Sequence, residues 1–425
     1  LYTDNSSGEL ITVREETNEY EESRFIARTI SDHVAKSLYQ YQDFAIFYRT
    51  NAQSRVIEEE LRSHNIPYRI VGGVKFYERQ EIKNVLSYLK ILLNPNDDVA
   101  LKRIINVPTR GIGKTTVERL ENFAIENQVP LYEAVAAAIK QKFVHAGAQS
   151  KLRVFYQMIE SLKEEVNSVS PSELYLNILD STEYALKLKA DNTPESLARI
   201  ENLEEFHNAL THFEQERGEE ATLQNFLEEI ALVSDIDNMD DQAQAVTLMT
   251  LHISKGLEFP VVFIAGMEEG IFPTGRAFES SDPTALEEER RLAYVGMTRA
   301  MEKLYLLHAQ TRRIWGNEQR NSRSRFISEI PENYLDESSS FKRPKFMDRF
   351  QSTQSFEPED DVQYFPDEIE HASMYKKGGM VRHPTFGVGK IHQVEGMGEM
   401  QKVSVLFNNS TLKKFVVKYA RLEVL

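Results

Sequence analysis

The chain has 425 residues, 41% hydrophobic and 27% charged, with no cysteine and a net charge of −16. That length passes the roughly 250 to 300 residues at which one core stops growing, so two to four domains are expected in a soluble protein: no apolar run approaches the roughly 20 residues of a membrane span. Disulfides, thiolate metal sites and thiol nucleophiles are excluded, in keeping with a reducing cytoplasm, and the acidic balance argues at first against a nucleic-acid partner.

The start at Leu1-Tyr2-Thr3 carries neither an initiator Met nor a recognisable opening element, and reads as the start of a fragment. Asp43-Phe-Ala-Ile-Phe-Tyr-Arg49 is a short apolar run, followed by a segment in which Ile57 and Leu61 recur at helical spacing, which predicts strand, loop and helix. After Gly72-Gly73 the pattern is helical as far as about Asp235: Ile82, Val85, Leu86, Leu89 and Leu93 form one apolar face, and Asn94-Pro95-Asn96 stops it. From Val246 buried-strand runs return at Val246–Leu251 and Phe259–Ala265, with a helix over Ala285–Ala300 and another strand at Lys303–His308. Strands alternating with helices predict an α/β domain with a parallel sheet over 1–77 and 237–330, interrupted by an all-helical insert over 78–236. Residues 331–374 hold Ser338-Ser-Ser340 and Glu357-Pro-Glu-Asp-Asp361 and read as a flexible linker. Short strands punctuated by Gly pairs over 375–425 predict a small β-barrel, and this tail holds nine Lys and Arg against three Glu, so charge is segregated along the chain.

Arg110-Gly-Ile-Gly-Lys-Thr-Thr116 ends like a phosphate-binding P-loop, but the glycine that pattern requires five residues before Gly113 is Pro108. The better reading is a turn opening a helix, whose free N–H groups at Gly111, Ile112 and Gly113, with Arg110, Lys114 and Thr116, grip a duplex DNA backbone. An ordinary glycine turn between two helices fits the same residues. No other Gly-Lys-Ser/Thr occurs, so this chain alone should not hydrolyse ATP. Glu268 and Glu269 after Val261–Ile264 imitate a magnesium-binding acidic pair, but read as a core strand ending in a solvated loop.

Two segments differ in kind. Thr250-Leu-His-Ile-Ser-Lys-Gly-Leu-Glu-Phe259 joins two predicted strands by a charged loop, the usual place for ligands in an α/β sheet. In Glu287–Ala300, Arg299 falls near a helix end, where its planar fork could meet a γ-phosphoryl group. These segments resemble motifs V and VI of the UvrD/PcrA-type superfamily 1 DNA helicases. Phe47-Tyr-Arg-Thr-Asn-Ala-Gln-Ser-Arg55 and Ile66–Tyr77 are similar to the stretch between motifs IV and V, in the same order and around a similar insert.

The resemblance implies the C-terminal half of a 3′ to 5′ helicase: a RecA-like motor domain split by a helical insert, with ATP and Mg²⁺ held mainly by another motor domain. Arg299 would be the arginine finger, Glu258 would hold the ribose beside Gly256, and Lys255 and His252 would couple nucleotide to DNA. Arg49, Asn51, Lys75 and His252 would touch single-stranded DNA, and Trp315 would stack on a base. Arg312, Arg313, Gly316 and Asn317 around Trp315 read as exposed loop, and Thr274 stands where the family often has a DNA-contacting His. The tail resembles a Tudor-like domain that docks on RNA polymerase, although a basic barrel could also bind nucleic acid by charge. The family further implies a bacterial cytoplasmic address at the nucleoid. The rival reading is a non-catalytic adaptor that binds DNA and polymerase.

Overall fold

The computed structural model describes residues 8–339, apart from 142, 237–243, 280, 281, 283 and 315, together with the segments 380–383, 387–395, 402–407, 412–416 and 423–424. The chain divides into two compact units, Leu1–Pro344 and Lys345–Leu425. The first opens with β1 (Ile11–Glu16), α1 (Glu19–Ala35), β2 (Phe44–Tyr48), α2 (Ser54–Ser63) and β3 (Tyr68–Ile70). Helices follow: α3 (Gln80–Leu93), α4 (Asp98–Ile104), α5 (Lys114–Asn127), α6 (Leu131–Gln141), α7 (Ala146–Glu165), α8 (Pro171–Thr182), α9 (Tyr184–Asp191), α10 (Pro194–Arg217) and α11 (Leu223–Ile236). Next come β4 (Val246–Thr250), β5 (Phe259–Ile264), α12 (Gly275–Glu279), α13 (Ala285–Met297) and β6 (Ala300–Ala309). The unit closes with β7 (Thr311–Ile314), β8 (Asn317–Arg320), α14 (Arg325–Ser328) and β9 (Leu335–Ser339).

Seven strands form one sheet in the order β3-β4-β2-β5-β6-β1-β9, with every neighbouring pair parallel. The side-chain alternation of a strand explains why β2 is apolar throughout. Phe44, Ile46 and Tyr48 join α1 and α2 in one core, whereas Ala45 and Phe47 join Ala293 of α13 and Phe326 of α14 in another. A third core, confined to residues 76–230, holds α3 to α11 together around Leu89, Phe155 and Phe206. Local sequence starts these helices. The Ser170 and Thr193 side chains accept from backbone N–H groups at the openings of α8 and α10, each with proline in the first turn.

The opening element that the sequence did not reveal is β1 with α1. In β1 only Val13 and Glu16 are buried and Arg14 pairs with Glu16, so neither a period of two nor a hydrophobic run announces the strand. The expected linker also starts later than residue 331, because Leu335–Ser339 pairs with β1 as the edge of the sheet. Residues 340–374 lie outside the described residues. Among those described, no helix is long and apolar enough to cross a membrane.

In the second unit, β10 (Met380–His383), β11 (Gly387–Glu395), β12 (Lys402–Phe407), β13 (Leu412–Val416) and β14 (Glu423–Val424) form an antiparallel sheet in the order β13-β12-β11-β10-β14. Val381, Ile391, Val403 and Val405 are its buried residues among those described.

Candidate functional site

A cleft of about 760 Å³ opens where the carboxyl ends of the parallel strands meet α10. Such ends gather side chains from loops distant in sequence onto one edge. Arg49 and Asn51 come from the turn after β2, His252 from the loop after β4, Thr274 from the loop after β5, and Arg313 from β7. Glu201 and Glu205 of α10 form part of the opposite wall. Gln53 folds the first of these turns, its Oε1 accepting the Arg49 and Thr50 N–H groups, both at 2.9 Å.

Arg49 is held side-on by Glu289 of α13. Its Nε donates to both carboxylate oxygens at 3.0 Å and its Nη2 to Oε1 at 2.6 Å. The His252 side chain beside it is exposed, yet partial desolvation against the cleft wall, with repulsion from Arg49, lowers its pKa below the ordinary histidine value against a smaller pull from Glu289. Lys75 does not line this cleft; its Nζ lies 5.1 Å from the centre of the Tyr68 ring. Trp315 lies outside the described residues.

The second group of predicted residues meets at the loop between β4 and β5. Lys255, Gly256 and Glu258 are all exposed there, and Gly256 sits at φ +88°, a left-handed conformation that favours glycine. Arg299 closes on this loop from the end of α13: its Nη1 donates to Leu257 O at 3.1 Å, its Nε to Val295 O and its Nη2 to Thr298 Oγ1. The expected projection from the sheet edge is therefore a fold-back, with the guanidinium tethered to its own helix end and to the neighbouring loop. Gly296 lets α13 pack closely against Leu251 and Ile264, since a Cβ there would collide with the Leu251 side chain.

On the helical segment, Gly111, Gly113 and Lys114 are exposed, Thr116 is half-buried and Ile112 is buried as the anchor of the turn. Gly113 caps α5 with no side chain, leaving the helix opening uncovered. Arg110 does not supply charge outward as expected. Its Nη1 donates to the Ile104 and Val107 carbonyls at 3.0 and 2.9 Å, and its Nη2 to the Tyr88 hydroxyl, so it builds the turn. Lys114 remains an outward cation at this turn, and Lys151 of α7 adds a second beside it, donating to Gly111 O at 3.0 Å.

Two further expectations are overturned. Glu268 is not solvated but fully buried, and Arg312 is not exposed loop but 9% accessible in β7. Arg312 donates to Glu268 Oε2 and Oε1 at 2.9 and 2.6 Å and to Glu22 Oε2 at 2.8 Å. Burial disfavours charge on both carboxylates. On Glu268 the Arg312 guanidinium and the Ala309 N–H overcome that and hold the carboxyl below the usual range, while Glu22 is pushed above it. Arg313 is likewise buried, its Nη2 donating to Gln215 of α10 at 2.6 Å. Sequence spacing hid these partners, because Glu22 lies 290 residues from Arg312.

The family described as UvrD-like helicase C-terminal domain matches residues 1–311. The chain is 40% identical over its whole length to the ATP-dependent DNA helicase PcrA of Staphylococcus aureus strain Mu50, and 40% identical over 99% of its length to that of Staphylococcus epidermidis strain ATCC 35984. It spans 58% and 57% of the length of these two relatives. The parallel sheet, the long helical segment between β3 and β4, and the match over most of the first unit together show that the chain belongs to the UvrD-like helicase C-terminal domain family.

Proposed function

We propose that this chain is the DNA-gripping and phosphate-sensing part of an ATP-dependent 3′ to 5′ DNA helicase. The observation that carries the reading is the convergence of Arg49, Asn51 and His252, from loops about 200 residues apart, on one cleft at the carboxyl edge of the sheet. A single-strand backbone lying there meets a forked cation and an amide donor; Lys75 extends the track beside Tyr68.

The β4–β5 loop with Arg299 fits one wall of a nucleotide site. Gly256 leaves the backbone open, the Glu258 carboxylate suits ribose hydroxyls, and Lys255 lies between His252 and Glu258 on that same loop. ATP, with Mg²⁺ on its phosphates, supplies the free energy when bound against a partner motor domain. Arg299, released from Leu257 O, would turn toward charge developing on the γ-phosphoryl group. The exposed Gly111–Thr116 turn would hold the duplex ahead of the junction, with residues 78–236 as the insert domain. The tail would form a Tudor-like barrel that docks on RNA polymerase.

The test is binding of a fluorescent oligothymidylate by the 425-residue chain. Asn51→Ala and Lys75→Ala should each weaken it about three- to tenfold, the scale of one lost hydrogen bond in a solvated site. Binding unchanged by both substitutions would place single-stranded DNA outside this cleft.

A further inference from the structure

Glu289 stands against the reading of a DNA cleft, because it neutralises Arg49, a cation that the cleft offers to phosphate. Its carboxylate is 8% accessible, and it also receives the Thr274 N–H at 3.4 Å. The three bonds it makes to Arg49 all use Nε and Nη2, so the Nη1 edge of the fork takes part in none of them.

We infer that Glu289 is a positioning residue, which fixes the Arg49 guanidinium side-on so that its remaining edge meets a single-strand phosphate without further ordering. This rests on the reading of the cleft as the DNA track. An unheld arginine must give up its rotamer freedom on binding, and pre-ordering removes that cost from each encounter. Repulsion between Glu289 and the phosphate opposes the effect. A phosphate on the Nη1 edge is separated from the carboxylate by the guanidinium itself, although a Debye length of about 8 Å at 0.15 M salt screens that pair only in part. Orientation must then outweigh the remaining repulsion, and the sign of the Glu289→Gln effect decides whether it does.

Anisotropy of a labelled oligothymidylate at 0.15 M salt tests this on the 425-residue chain. Glu289→Gln, which keeps the side-chain shape and one acceptor, should weaken binding about two- to tenfold. In an Arg49→Ala background the same change should cost nothing more, because the residue it positions is gone. Arg49→Lys, which keeps the charge without the fork and leaves Glu289 intact, should also weaken binding. Unchanged or tighter binding by Glu289→Gln, a further loss in the Arg49→Ala background, or wild-type binding by Arg49→Lys would each overturn the assignment. If Arg49→Ala is silent while Asn51→Ala weakens binding, the positioning role falls and the cleft stands. If both are silent, the cleft reading itself falls, and the positioning role with it.

Discussion

Replacing Arg312 by methionine removes the one guanidinium that Glu22 and Glu268 share, leaving two carboxylates, 2% and 0% accessible, with the Gly266 N–H on Glu22 and the Ala309 N–H and the Asn321 side chain on Glu268. Breaking a buried ion pair on one side costs about 3 to 5 kcal/mol, since the remaining charge keeps its desolvation penalty. At about 2 to 4 °C per kcal/mol, the unfolding temperature should fall on the order of 10 °C. The dependence on pH gives the sharper check. In the wild type Glu268 sits below the usual carboxylate range, so its contribution is full above the unfolded-state pKa and is lost as pH falls through the folded one. Without Arg312 burial pushes both carboxyls upward, so the penalty is full at pH 8 and is relieved toward pH 5 as they take up protons. Urea and thermal unfolding of both proteins at pH 8 and pH 5 measure this. A loss under about 1 kcal/mol at pH 8, or an equal loss at pH 5, would refute the reasoning.

Other substitutions probe the remaining parts. Gly296→Val puts a side chain into Leu251 and Ile264 where α13 crosses the end of β4, and should cost about 1 to 3 kcal/mol in urea unfolding; a neutral result would show that this approach is not tight. Gly113→Val meets open space at φ −77°, and the loss of a favoured residue at the opening of α5 should cost no more than about 1 kcal/mol. Its affinity for a duplex–single-strand junction should nevertheless fall more than its affinity for a plain single strand, and equal losses on both would contradict the duplex grip.

Much of this architecture was legible because its signals are local. The all-apolar β2, the loops flanked by β4 and β5, and the helix ending near Arg299 each lie within a few residues of their own evidence. What escaped was decided by partners far away in sequence. β1 reads as charged and irregular because its place between β6 and β9 is secured by pairing rather than by an apolar face. Arg110 looked like a surface cation, yet the Ile104 and Val107 carbonyls at the turn claim it. Glu268 and Arg312 looked solvated because the cation that permits burial of Glu268 lies 44 residues on, and Glu22, which shares it, lies near the start of the chain.

The central claim is that Arg299 faces a nucleotide shared with a second motor domain. Its most direct measurement is DNA-stimulated ATP hydrolysis by this chain joined to the ATP-binding domain of a UvrD-like helicase. Hydrolysis should require the chain, rise with single-stranded DNA, and fall about 10³-fold or more in Arg299→Ala, the scale of a lost arginine finger. A rate that Arg299→Ala leaves unchanged would contradict the account.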